Sequence, residues 1–173
     1  MKRRHEVIKR IRQLIQREDG GALAELAILV PFLAVMLAGV CEFGRYFQNY
    51  NTLAKATRTA SRYLSNHKLT TAEIDRAQSL VVCGKLACAT GDRPLLSNLS
   101  KANVCVESTG SPKVTSVTVR IPRPDTPCSP TTGAPDASPY TYQPIFNVGA
   151  LLGTGLSLQL PIAPSVTMYY MID

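Results

Sequence analysis

The stretch that decides the fold is residues 26–41, which read LAILVPFLAVMLAGVC and carry no polar side chain apart from the Cys41 thiol. Extending this run back to Ala22 gives twenty residues. At about 1.5 Å per residue, a helix of that length measures about 30 Å, which is the thickness of the hydrocarbon core of a membrane. The sequence therefore predicts one membrane-spanning helix.

The charge of the chain is concentrated before this helix. Residues 1–20 hold seven basic and three acidic side chains, which is +4 of the net +7 carried by all 173 residues. By the positive-inside rule, such a tail stays in the cytoplasm while a long following domain crosses the membrane. We therefore predict a basic cytoplasmic leader over 1–20, a transmembrane helix over 21–45 and an extracytoplasmic domain over 46–173.

Three other interpretations of the apolar run are open. A cleaved signal peptide has an apolar stretch of about 7 to 15 residues ending in a small-residue site, and this run is longer and lacks that site. Residues 37–41 approach a lipoprotein cleavage box, but Val40 stands where a small residue should precede the cysteine. A buried core helix can be as apolar, although a compact domain rarely begins with so basic a tail. The membrane helix is favoured over all three.

Composition also disfavours two classes of protein. Apolar residues make up 45% of the chain and charged residues only 18%, which argues against wholesale disorder and against a highly charged nucleic-acid binder. Lipid headgroups and membrane orientation account for the basic leader. Membrane lipid is thus an expected partner, and nucleic acid is not.

Several residues are unusual for a simple membrane anchor. Glu25 lies near the start of the apolar run, where an ionisable side chain suggests a function, although a boundary carboxylate can also reach the headgroups. Pro31 removes a backbone hydrogen bond, which neighbouring groups in a membrane can compensate, or it simply kinks the helix. Glu42, Gly44 and Arg45 follow the run, and this acid and this cation are expected to mark its outer boundary.

The order of these residues resembles that of a known family. The run GGALAE at residues 20–25, Pro31 and the run EFGR at residues 42–45 resemble the TadE-like proteins, which are minor pilins or pseudopilins of the tight-adherence (Flp) pilus machinery. The resemblance is strongest over residues 17–64 and weaker at 75–82 and 165–168. The Pro-rich segment 121–144 does not match the family.

The resemblance implies that a prepilin peptidase cuts on the cytoplasmic face between Gly20 and Gly21, which makes Glu25 the fifth residue of the mature chain. There its carboxylate is expected to meet another N-terminal amine, because two opposite charges in lipid cost far less as a pair than singly. The implied function is that of a minor pilin or pseudopilin in assembly of a type IV pilus of the Flp type. The implied partners are other pilus subunits, the prepilin peptidase and the inner-membrane assembly platform, with no small-molecule substrate.

The same resemblance implies a bacterial inner-membrane protein that crosses once, with a cytoplasmic N-terminus and a periplasmic or extracellular C-terminal domain, and a place in the pilus. The alternative is a permanently membrane-tethered extracytoplasmic binding protein that is not incorporated in a filament. An anchored enzyme is a more distant third.

An apolar stripe predicts that the first helix continues beyond the membrane. Apolar residues recur at helical spacing with polar residues opposite, so one helix is expected from Ala22 to Ser65, 44 residues or about 66 Å. Such a stripe is more often a seam in a domain core than a groove for a partner. Its members are Phe43, Tyr46, Tyr50, Leu53, Ala56, Ala60 and Leu64.

The exported domain is expected to be α+β. A capping-box pattern at Thr70 and Glu73 begins a second helix, which should run to about Val82 and end before Gly84 in the left-handed conformation. Alternating residues predict strands at 114–121, 156–160 and 166–171. Together these features predict a pilin-like fold, in which a long N-terminal transmembrane helix continues into a small domain with an antiparallel sheet.

Two segments are expected to lie outside these elements. Residues 121–144 hold seven of the twelve prolines and should form a loop, since proline is excluded from central strands and helices. Residues 145–153, IFNVGALLG, are too short and glycine-rich for a second span. We interpret them as a core-packing helix or turn.

Four cysteines lie outside the membrane in this topology, and Cys41 lies at the end of the apolar run. Four cysteines allow three pairings. We favour Cys83 with Cys88 because that pair is local, and Cys105 with Cys128 because it would tether the Pro-rich loop. Zinc is the alternative, but the spacing is poor for a zinc site without a second pair or a histidine cluster. We expect disulfides, no metal and no cofactor.

No catalytic motif is present. A hydrolytic triad would need His67 with a serine and Asp75 or Asp92, but the chain has no G-x-S-x-G elbow. It also has no glycine-rich phosphate loop, no H-E-x-x-H and no EF-hand pattern. We therefore expect that the protein is not an enzyme and that it works by association.

Overall fold

The chain is seen here as a computed structural model that describes residues 19–130, 137–146, 153 and 159–172. A long apolar helix is followed by a small antiparallel sheet with a second helix, which confirms the predicted α+β class. In chain order the elements are α1 (Asp19–Ser65), α2 (Thr71–Cys83), a 3₁₀ turn (Lys101–Asn103), β1 (Cys105–Thr109), β2 (Ser116–Arg120) and β3 (Ser165–Tyr169).

Internal contacts divide the chain into two units, residues 1–42 and 43–173. The described part of the first unit is the apolar half of α1. The second unit holds the remainder of α1, α2 and the sheet.

α1 is one continuous helix of 47 residues that includes Pro31. It ends at Ser65 as predicted. Its described part begins at Asp19, the first residue that the structure describes, so the predicted start at Ala22 lies inside the helix.

The outer half of α1 buries a shorter stripe than predicted. Phe43 and Tyr50 are 69% and 39% exposed, so their assignment to a core seam was wrong. Tyr46 is half-buried because its ring packs edge-on against Tyr142, with 5.5 Å between centroids. The buried residues of this half are Leu53, Ala56, Thr57, Ala60, Ser61, Leu64 and Ser65.

α2 has the predicted ends. The Thr70 hydroxyl accepts a hydrogen bond from the Glu73 N–H at 3.4 Å, and Gly84 follows the helix with φ +72°. The reciprocal half of the capping box is not formed, because the Glu73 carboxylate instead accepts hydrogen bonds from Tyr63 and Arg76. α2 therefore carries a side-chain link to α1.

The sheet is a three-stranded antiparallel meander in the order β1-β2-β3. Val119 of β2 lies between Val106 of β1 and Val166 of β3. β1 was not predicted, although Gly110 at φ +112° marks the hairpin that follows it. A Cβ at this position would lie 2.3 Å from the Lys113 carbonyl oxygen, so the hairpin requires glycine.

The other two strands lie within predicted segments. β2 falls in 114–121 and β3 overlaps 166–171, starting one residue earlier at Ser165. Of the predicted strand at 156–160, residues 156–158 lie outside the described residues, and Gln159 and Leu160 are not in a strand.

Both helices contribute to a core on one face of the sheet. Val106, Val117 and Val119 supply the sheet side, each with no exposed surface. The helix side comes from the buried face of α1 and from Ile74, Ala77 and Val81 of α2. On the opposite face Cys105 is buried, and Glu107 and Arg120 are half-buried beside the start of the Pro-rich segment.

The described parts of the Pro-rich segment, 121–130 and 137–144, contain no helix or strand, as predicted, and only two isolated bridges. Ile145 and Phe146 are 66% and 52% exposed, so the prediction of core packing was wrong for them. Residues 147–152 of the same predicted element lie outside the described residues. Two exposed apolar side chains are unexceptional on a protein surface.

Candidate functional site

The first site to consider is the junction at the start of α1. Gly20 and Gly21 lie in α1, at the beginning of its described part. A Cβ at Gly21 would meet nothing within 4 Å, so nothing within the described structure requires glycine here. The Glu25 side chain, about 7.5 Å further along the axis, is exposed.

The surface that follows is apolar and uncovered. Among the described residues, one helix is long and apolar enough to cross a membrane, with a mean hydropathy of 2.4 over its most apolar window. Exposed apolar surface of this extent marks contact with a membrane or another protein. Its large side chains, each at least 52% exposed, are Leu23, Leu26, Ile28, Leu29, Val30, Phe32, Leu33, Met36, Leu37 and Val40. Within the described residues, the apolar half of α1 is thus the one candidate for a membrane anchor, and it would cross once.

Pro31 lies in the middle of this surface. It has no N–H, so the Ala27 carbonyl lacks its usual helical donor. The helix nevertheless continues to Ser65. A free carbonyl inside a membrane helix is tolerated where neighbouring groups satisfy it.

The residues expected to mark the outer boundary have different environments. Glu42 is only 2% exposed, whereas Gly44 and Arg45 are exposed. Glu42 and Arg45 each interact with other residues. A Cβ at Gly44 would meet nothing within 4 Å, so no contact among the described residues requires glycine there.

The four cysteines of residues 43–173 form the two favoured pairs. Cys83 is bonded to Cys88 and Cys105 to Cys128, with Cα atoms 5.9 and 5.8 Å apart. The Cys105 and Cys128 sulfurs lie within 4.8 Å of a Glu107 oxygen, an arrangement of metal-ligand types. Because those two sulfurs are bonded to each other, they cannot act as thiolate ligands for the zinc considered above.

Sequence reasoning missed an ion pair beside the second disulfide. Arg120 of β2 donates to both Glu107 oxygens, at 3.1 and 2.7 Å, and the Ser129 N–H donates to the same carboxylate at 2.9 Å. The hydrogen bonds from Arg120 and from Ser129 lower the pKa of Glu107, against burial, which raises it. Arg120 also donates to the Thr126 and Pro127 carbonyls, at 3.1 and 2.7 Å.

This arrangement pins the start of the Pro-rich segment to the sheet. Cys128 is bonded covalently to Cys105 of β1, and Arg120 bridges β1 to the backbone just before Cys128. Glu107 and Arg120 are thirteen residues apart in the sequence. Their ion pair could therefore be predicted only from the pairing of β1 with β2, which brings them together. Missing β1 therefore meant missing the pair.

The histidine considered for a triad has other contacts. His67 stacks on the Tyr63 ring at 4.0 Å, and its Nδ1 lies 2.7 Å from the Tyr63 carbonyl. Asp75 pairs with Lys101 at 2.6 Å. Asp92 pairs with Lys85 at 2.8 Å, and that hydrogen bond lowers the pKa of Asp92. Within the described residues, neither aspartate is bonded to His67.

Comparison with known proteins finds a family match to the long helix α1. Residues 20–62 match the family described as TadE-like protein, so the match covers Gly20, Gly21 and nearly all of α1. No curated protein and no solved structure matches the chain. The resemblance seen in the sequence is thus confirmed for this segment: residues 20–62, about a quarter of the chain, are similar to the TadE-like family.

Proposed function

We propose that this protein is a minor pilin or pseudopilin that takes part in assembly of a tight-adherence (Flp-type) type IV pilus. The TadE-like match indicates involvement in the assembly of such pili. The finer role rests on the geometry of the junction. The observation that carries it is the exposed Glu25 carboxylate on an otherwise apolar, exposed helix surface.

A carboxylate at this position needs a cation once the helix is in lipid. Within the described residues no cation pairs with Glu25. Cleavage between Gly20 and Gly21 by a prepilin peptidase would create an ammonium group at the start of every mature chain. The amine of a neighbouring subunit then offsets the cost of the Glu25 charge, and the pairing selects subunits that have been processed.

The proposed location is the bacterial inner membrane, with the leader in the cytoplasm and residues 46–173 in the periplasm or outside the cell. The positive-inside rule supports this orientation, and disulfides persist in an oxidising compartment. Cys83–Cys88 and Cys105–Cys128 therefore suit an exported domain.

We propose further that the protein acts by association with other pilus subunits, with the prepilin peptidase and with the inner-membrane assembly platform, and that it catalyses no reaction. Asp75 and Asp92 are engaged by lysines and His67 by Tyr63, which supports this assignment. We expect the His67→Ala variant to assemble pili normally, which would show that assembly does not need the histidine. Loss of assembly by a normally folded variant would instead favour an enzymatic function.

The mature N-terminus tests the proposal. Intact mass or N-terminal sequencing of the protein from its native cells should show a chain that begins at Gly21. Gly20→Val should leave the full-length chain, because a bulky residue before the cut blocks the peptidase. Gly39→Val is the matched control, since a Cβ at this position of the same helix would meet nothing within 4 Å, and this variant should still be cut.

Removal of the peptidase should have the same effect as Gly20→Val. A wild-type chain that still begins at Met1, in cells that build the pilus normally, would contradict the proposal and favour a permanent membrane tether.

A further inference from the structure

Within the part of the chain that the structure describes, one edge of the sheet lies open beside α1. Among the described strands, β3 pairs with β2 alone. The Pro164 carbonyl accepts a hydrogen bond from the Ile121 N–H at 3.0 Å. This bond shows which residues of β3 direct their backbone groups towards β2. Because bonding alternates along an antiparallel strand, Ser165, Thr167 and Tyr169 direct their N–H and C=O groups away from β2.

These outward groups are unpaired within the described backbone. The next outward residue, Met171, donates its N–H to the Ser65 carbonyl at 2.9 Å, so the end of α1 closes the edge at that point. Proteins commonly blunt an edge strand with lysine or proline, but residues 165–169 read SVTMY and contain neither. The edge is therefore a template for a further strand.

A groove of about 740 Å³ runs between this edge and the flank of α1. Arg58 and Arg62, one helical turn apart, line its helix side, and Met168 and Tyr169 line its sheet side. Tyr169 is 82% exposed. No acidic side chain lines the groove, and neither guanidinium forms an ion pair within the described part of the chain.

We propose that this β3 edge groove binds an extended segment of a partner protein, which adds a strand to the sheet and directs carboxylates towards Arg58 and Arg62. In strand addition, main-chain hydrogen bonds supply affinity and alternate side chains supply specificity. Successive side chains of the added strand point to opposite faces. One set meets the arginines of α1, and the other lies beside Thr167 and Tyr169.

The partner segment is therefore one that alternates acidic with apolar or aromatic residues. A second copy of β3 fits poorly, because residues 165–169 contain no acid and pairing two copies would bring their arginines together. The surface lies wholly within residues 43–173, and its use does not depend on cleavage at Gly20.

A synthetic probe tests the groove. The full-length chain in detergent micelles is titrated into a fluorescein-labelled peptide of about nine residues that alternates glutamate and valine, and anisotropy is followed. A block peptide of the same composition, with all valines before all glutamates, tests for charge alone. A third peptide carries N-methyl groups on alternate residues, which removes the N–H groups along one edge and so tests for main-chain pairing.

Two variants locate the binding. Arg58→Glu with Arg62→Glu reverses the charge of the groove, and Lys55→Glu with Lys68→Glu makes the same change of charge at residues outside it. Thr167→Pro removes one outward N–H and no backbone hydrogen bond to β2; it also removes the hydrogen bond between the Thr167 and Thr118 hydroxyls, at 2.7 Å. If Thr167→Pro fails to fold, the arginine variant and the N-methylated peptide still decide the matter.

The alternating peptide should bind saturably below about 1 mM, and the arginine variant, Thr167→Pro and N-methylation should each weaken binding about tenfold or more. The lysine variant should change it by less than about threefold. No saturable binding, or equal binding of the block or N-methylated peptides, would overturn the proposal. Cosedimentation with phosphatidylglycerol vesicles is measured in parallel; arginine-dependent vesicle binding without peptide binding would assign the arginines to a lipid surface instead.

Discussion

At the scale of single residues, three glutamates of this chain have three different environments. Glu25 is exposed on an apolar helix, Glu42 is 2% exposed, and Glu107 accepts hydrogen bonds from Arg120 and a backbone N–H. A glutamate carboxylate is costly in lipid, needs hydrogen-bond partners when it is buried, and is stabilised beside a guanidinium. Environment, and not residue type, therefore assigns their roles.

Glu107→Gln should reduce the free energy of unfolding by about 1 kcal/mol at pH 7. Because the folded pKa of Glu107 is lowered, its contribution is present above the unfolded pKa of about 4.3 and is lost as the pH falls through the folded pKa. The difference between wild type and variant should therefore shrink on acidification to below about pH 4.

Urea unfolding of the full chain in micelles, followed by the circular dichroism of its tyrosines at several pH values, measures this difference. Asp125→Asn, at an exposed position of the same loop, is the control. A wild-type advantage that grows in acid would show that the sign assigned to Glu107 is wrong.

Glu25→Gln should be cleaved normally but should enter pili about tenfold less than wild type or worse, because the neutral side chain cannot pair with an ammonium group. Immunoblots of sheared pili against whole membranes measure incorporation. Asp19→Asn is the matched control, since Asp19 leaves with the leader. If Glu25→Gln is incorporated as well as wild type, the charge pair has no part in assembly.

At the scale of elements, α1 is one helix with two surfaces. The large apolar side chains of its first half are exposed, and its second half buries a single stripe against the sheet and α2. A uniform apolar surface suits lipid or neighbouring helices, while a stripe suits a domain core. One element therefore supplies both the anchor and part of the domain core.

The two disulfides should differ in how much each adds to the free energy of unfolding. Cys105–Cys128 spans 23 residues and Cys83–Cys88 spans 5, and the chain-entropy model gives about 3 and about 2 kcal/mol respectively. Replacing Cys105 and Cys128 by serine should therefore lower the urea midpoint more than replacing Cys83 and Cys88. The Cys41→Ser variant, at a free cysteine, serves as the control. A larger loss from the local pair would contradict this account.

At the scale of the whole molecule, the proposed orientation of the apolar helix in the membrane rests on the charge of the leader. Alkaline phosphatase fused after residue 173 should be active, because that enzyme folds only outside the cytoplasm. Replacing the seven basic residues of the leader by glutamine should lower its activity by removing the charge bias. An inactive fusion in the unaltered chain, with normal expression, would mean the opposite topology.

Patterns that depend on neighbours in the chain were readable from the sequence alone. The apolar run, the glycine-glutamate junction, the caps of α2 at Thr70 and Gly84 and the alternation of β2 each rest on a local rule of helix length, capping or side-chain period. These patterns were sufficient to predict the anchor, the fold class and the family segment.

Tertiary structure alone decided which surfaces are covered. Phe43 and Tyr50 match the spacing of the buried stripe, yet they are exposed, whereas Ser61 of the same helix is buried and donates to the Val166 carbonyl. Burial, the Glu107–Arg120 pair and the open edge of β3 all depend on contacts between residues far apart in the chain. No local period encodes such contacts, since they arise only when separate elements pack together.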